Sequence, residues 1–141
     1  MFSFSRKFLI LPMLIGIGLS SSTGWAASLT DKVSLQAVMQ QHIDSQLVDG
    51  AYLRLETDTG EVVPLYPDTA HTIIFEMGEH CVLCYDFRDG EGSAVNVDFY
   101  LARADSSFVV FHTSIGDRST LKMLMKEGRC PSSNDLRQLA S

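Results

Sequence analysis

His80, Cys81 and Cys84 place one imidazole and two thiols within five consecutive positions. These are the nitrogen and sulfur donors that hold a soft transition metal, and the thiols are also candidates for disulfide exchange. The surrounding pattern limits both uses. Thiol exchange of the thioredoxin kind wants its pair at a helix start, where the thiolate is stabilised, and this pair lies in an apolar, strand-like run. Covalent haem attachment wants a histidine directly after the second cysteine, and Tyr85 stands there. A second set, His71, Asp86 and His112, supplies the imidazoles and carboxylate that move protons in a small cavity enzyme, with Thr113 and Ser114 as nearby hydroxyls. Arg54, Arg88 and Arg103 offer guanidinium groups for an anion or for surface ion pairs.

Strands must position all of these residues. From residue 51 onward, short runs rich in Val, Ile, Phe and Tyr are separated by Gly and Asp turns, which predicts strands over 52–57, 62–66, 72–77, 80–88, 94–103 and 108–114. The short connections predict antiparallel neighbours, and Pro64 and Pro67 mark the second run as an edge or a bulged excursion. Gly78 and Glu79 read as a two-residue hairpin turn, placing Met77 opposite His80, Ile73 opposite Cys84 and His71 opposite Asp86. Alternation then puts His80, Val82, Cys84 and Asp86 on one face with Ile73, Phe75 and Met77, and Cys81, Leu83, Tyr85 and Phe87 on the other with Ile74. Cys81 and Cys84 on opposite faces stand about 10 Å apart between Cα atoms. A disulfide needs about 4 to 7 Å. Buried, unreactive cysteines are the leading expectation. A bridge from Cys130 to one of them, and a metal site on His80, Cys81 and Cys84, are the alternatives, and a bulge near Val82 would favour the metal.

Helices complete the pattern. Leu35, Val38, Met39, Ile43 and Leu47 recur at helical spacing after a start at Thr30 and Asp31, with an end near Asp49 and Gly50 and His42 at the edge of the stripe. A short last helix is signalled by Asp117 as cap, Leu121, Leu124 and Met125 as apolar face, and Gly128 as stop. The expected fold class is α+β, with the N-terminal helix packed on a curved antiparallel sheet of about five to six strands and a short C-terminal helix. Because both faces of the sheet are apolar, the side away from the long helix must be closed by curvature, by the last helix or by a partner, including a second copy of the chain.

The order of elements from Asp31 to Ser114 resembles the cystatin-like folds, in which a sheet wraps a single N-terminal helix. The glutamine-valine-glycine loop of the cystatin inhibitors is missing, so the resemblance carries no protease inhibition. The stretches His80 to Arg103 and Phe108 to Thr113 also resemble small exported bacterial proteins of unknown function, a resemblance that brings no active site with it.

The compartment is read from the first 26 residues. Arg6 and Lys7 precede an apolar run from Phe8 to Leu19, and Gly24 and Ala26 supply the small residues before a cut after Ala26. The run is too short, and too interrupted by Pro12, Gly16 and Gly18, for a membrane span of about 20 residues. No cysteine follows it to take a lipid. A cleaved signal peptide (1–26), one domain (27–130) and a loose tail (131–141) are expected, in a protein exported to the periplasm if the source is Gram-negative. Removing Arg6 and Lys7 takes the formal net charge from −6 to −8, which disfavours nucleic acid as a partner. The leading expectation for function is a non-enzymatic binding or accessory module for a small molecule or protein partner, without a cofactor. A metal-binding or thiol-redox protein using His80, Cys81 and Cys84 is one alternative, and a small cavity enzyme using His71, Asp86 and His112 is the other.

Overall fold

Ser28 opens the first helix, α1 (Leu29–Gln46), with a reciprocal cap: its hydroxyl accepts from the Asp31 N–H at 3.1 Å, and the Asp31 carboxylate accepts from the Ser28 N–H at 3.1 Å. The start is therefore slightly earlier than Thr30 and Asp31 suggest. The computed structural model describes residues 27–132, and the expected signal peptide and the tail beyond 132 lie outside the described residues. After α1 the chain runs through β1 (Leu47–Val48), β2 (Ala51–Leu55), β3 (Val62–Met77), β4 (His80–Arg88), β5 (Ala94–Ala104) and β6 (Ser107–Ile115) to α2 (Ser119–Lys126). The six strands pair antiparallel with their chain neighbours in one open sheet, so this is an α+β arrangement as expected from the sequence.

Two departures from the expected elements have local causes. Asp49 and Gly50 do not merely stop the helix. Both take positive φ, 50° and 81°, and form a tight hairpin turn that pairs Leu47 with Tyr52 and Val48 with Ala51. The runs expected over 62–66 and 72–77 are one strand, β3, which pairs with β2 through Val62 to Leu65 and with β4 from Tyr66 on. Its register shifts twice, between Pro67 and Thr69 and between Ala70 and Ile74.

The hairpin at Gly78 has the expected register, with Met77 opposite His80, Phe75 opposite Val82 and Ile74 opposite Leu83. Gly78 takes φ 60°, a conformation glycine adopts without strain. Beyond Ile74 the expected pairing gives way. Residues 71–73 bow out opposite Cys84, Ala70 pairs with Tyr85, and Thr69 rather than His71 pairs with Asp86.

The two faces of the sheet carry separate cores. Leu83, Tyr85 and Phe87 of β4 and Phe99 of β5 pack under Leu35, Met39 and Ile43 of α1. On the other side, Val82, Cys84 and Tyr100 pack with Leu121, Leu124 and Cys130. The last helix thus covers the part of the second face around Val82, Cys84 and Tyr100, while Phe111 beside Tyr100 stays about half exposed. Arg118, at the N-terminus of α2, bridges to the fully buried Asp98 of β5, with Nε 3.1 Å from Oδ2. Its Nη2 lies 3.0 Å from the Cys84 sulfur.

Removing one partner of a buried ion pair leaves an uncompensated charge, at a cost of about 3 kcal/mol or more. Arg118→Ala is expected to lower stability by about that amount in urea unfolding, whereas the double change Asp98→Leu with Arg118→Met recovers most of the loss. A single change with an effect under about 0.5 kcal/mol would show that α2 is held by its leucines alone.

Candidate functional site

The bowed segment of β3 creates a groove. Leu29, Lys32, Val33 and Gln36 of α1 and Ala70, His71, Thr72 and Ile74 of β3 line a cleft of about 500 Å³. Leu29 and Val33 are 80% and 64% exposed, large apolar side chains left in water on the helix that otherwise covers the core. The Gln36 amide donates to the His71 carbonyl at 3.0 Å, tying the helix to the bow. Sequence reasoning missed this groove. The available signal was that Leu29 and Val33 are themselves four apart and stand outside the stripe of Leu35, Met39 and Ile43.

His71 forms the second feature. Its Nε2 lies 2.8 Å from the Asp86 Oδ2, so the pair expected from a regular register forms through the bow instead. The Asn96 amide donates to the other Asp86 oxygen. Burial pushes the Asp86 carboxyl up, but the hydrogen bonds from His71 and Asn96 outweigh it, and the group is held below its ordinary value. His112 does not join this pair. It lies on β6 opposite Tyr100, with ring centroids 5.2 Å apart, three strands away from His71.

His80, Cys81 and Cys84 are not brought together. Cys81 lies in the core under α1, Cys84 lies in the core under α2, and His80 is exposed at the hairpin end with its ring 5.4 Å from that of Phe111. Among the described residues no group of three His, Cys, Asp or Glu side chains is arranged to hold a metal ion. Cys81, Cys84 and Cys130 are all buried and unbridged. Burial is the main cause that pushes the Cys81 and Cys84 thiols up to about 12 and the Cys130 thiol up to about 11. The arginines expected around the sheet are each paired: Arg54 with Glu56, Arg88 with Asp68, and Arg103 with Asp31. His42 packs edge-on against Phe99, and burial lowers its pKa.

Fold and site together define a small α+β domain with an open meander sheet, an apolar groove on its long helix and a polar triplet beside the groove. Comparison of the chain with protein-family models, with curated proteins and with solved structures finds no match. Among the described residues no helix is long and apolar enough to cross a membrane.

At about pH 8 the three thiols are protonated and enclosed, so a disulfide reagent is expected to label none in the folded protein and all three after unfolding. Rapid labelling of Cys84 in the native state would instead mean that Arg118 activates it. For Asp86, a carboxyl held low when folded contributes stability that is complete above its ordinary pKa of 3.8 and is lost as pH falls through its lower folded value. Asp86→Asn should therefore lower the urea midpoint at about pH 6 and change it little at about pH 2. An equal loss at both would assign the effect to packing rather than charge.

Proposed function

We propose that the mature chain is a small exported binding module, periplasmic in a Gram-negative host, that seats a small apolar anion in the groove between α1 and β3. The groove is the observation that carries this reading. Its size falls in the range of small-molecule sites, about 300 to 1,000 Å³, and its walls are mostly hydrocarbon with a few polar groups at the edge. Lys32, one of the residues lining the groove, suits an acidic end on the ligand, and Gln36 and Thr72 add hydrogen-bonding capacity.

A non-enzymatic role is supported by the state of the chemical groups. The thiols are buried and pushed far above neutral pH, and both oxygens of Asp86 are already engaged. The acidic net charge supports a partner other than nucleic acid.

The test is fluorescence titration with 1-anilinonaphthalene-8-sulfonate, an apolar ring system carrying one sulfonate. Saturable binding to the native protein is expected. Val33→Asp, at a largely exposed position in the second turn of α1, should leave the fold intact and weaken binding by about tenfold or more. Lys32→Glu should weaken it by less. Binding that is absent in the wild type, or unchanged in Val33→Asp, overturns the reading.

A further inference from the structure

Glu76 is a carboxylate in an apolar place. It lies on β3 opposite Cys81, beneath the start of α1, and is only 7% exposed. A buried carboxylate is costly unless a donor or a cation meets it. Among the described residues, its side chain has one hydrogen bond, from the backbone nitrogen of Ala27 to Oε1 at 3.2 Å. The other charges close by are already matched, since Arg103 donates to Asp31 at 3.0 Å. The remaining titratable neighbours, the Cys81 and Cys130 thiols, stay protonated at neutral pH.

Ala27 is also the residue that the sequence places just after the cut in the leader, behind Gly24 and Ala26. We infer that Glu76 is the receptor for the mature amino terminus: cleavage after Ala26 turns the Ala27 nitrogen into an ammonium, and Glu76 captures it. In that cleavage a leader peptidase adds water across the Ala26–Ala27 peptide bond. Ala26 leaves with the new carboxylate, and the freed amine of Ala27 takes up a proton. A neutral N–H···O contact becomes a charge-assisted one, which is shorter and about twice as strong.

Helix electrostatics make the capture necessary as well as favourable. An ammonium one residue before the Ser28 cap faces the positive end of the α1 dipole, an unfavourable placement that a carboxylate on the same side offsets. Glu76 is anchored for this role, because its own N–H donates to the Pro131 carbonyl at 3.0 Å and holds that part of β3 in place. Processing thus fastens the start of α1 to β3 next to the groove that Leu29 lines.

The inference rests on the exported reading, and the test separates the two. Intact mass of protein recovered from an exporting host reads the first residue. An uncleaved chain overturns both readings, whereas a cut at a different position leaves export standing and overturns the capture by Glu76. With Ala27 first, the acetylation rate of the α-amine at about pH 7 is the decisive measurement. A captured ammonium holds its proton above the ordinary value of about 7.7 to 8.0 and should react about tenfold slower than an unpaired amino terminus. Glu76→Gln should restore the ordinary rate. Selective acetylation of Ala27 should also lower the urea midpoint of the wild type, with no further loss in Glu76→Gln. An ordinary rate in the wild type, readable even if Glu76→Gln fails to fold, or additive losses from the two changes, overturns the capture.

Discussion

A strand that is apolar on both sides needs two covers, and β4 is such a strand. Cys81 through Tyr85 are five consecutive buried residues, with alternate side chains entering different cores. The α1 helix is long enough to cover one side with Leu35, Met39 and Ile43. The other side falls to α2, which has eight residues and is well below the roughly 12 to 15 at which an isolated helix becomes marginal. That helix therefore exists by docking. Leu121 and Leu124 supply the apolar part, and the Arg118 bridge to Asp98 fixes where the helix begins. Asp117 assists from one position earlier, its carboxylate accepting from the Ser119 N–H at 2.8 Å.

The irregularity in β3 has the next largest consequence. Pro67 has no N–H for the ladder, and the shift beside it is followed by the longer bow before Ile74. Extra residues in one strand of a pair must leave the sheet plane. Here they leave it so that the His71 carbonyl meets Gln36 of α1 while the His71 ring meets Asp86 of β4. One residue thereby clamps helix to sheet, and the groove lies against that clamp. The apolar cleft and the polar triplet are products of the same bow.

The architecture was legible in the sequence where local chemistry is decisive. A glycine-first turn at Gly78 sets the register of β3 on β4 near the hairpin, and strict alternation along β4 assigns each side chain to its face. What lay beyond reading was tertiary. Nothing in the run around Asp98 announces that its charge is met by Arg118, twenty residues further on. Nor does a glutamate beside a turn announce that Glu76 is buried. The hairpin at Asp49 and Gly50 was misread for a different reason: the same dipeptide ends helices and turns hairpins, and only the pairing of Leu47 with Tyr52 distinguishes them. The His71 pair with Asp86 was anticipated from a regular register, yet it forms at a place where the register is broken.

The distribution of reactive groups bears on what such a domain can do. Three unpaired thiols survive oxidation most readily when no reagent reaches them, and here burial both encloses them and keeps them protonated. Cys81 and Cys84 also face away from each other through the sheet, so neither is the other's partner. His71, partly exposed, meets an Asp86 whose second oxygen accepts from Asn96, so both carboxylate oxygens are hydrogen-bonded and the pair is fixed in place. At the groove, what stays open to solvent is largely the hydrocarbon of Leu29 and Val33, with Lys32 between them in sequence. On the binding reading, the polar triplet then acts by holding the bow in shape before a ligand arrives, so that ordering the groove adds little to the cost of filling it.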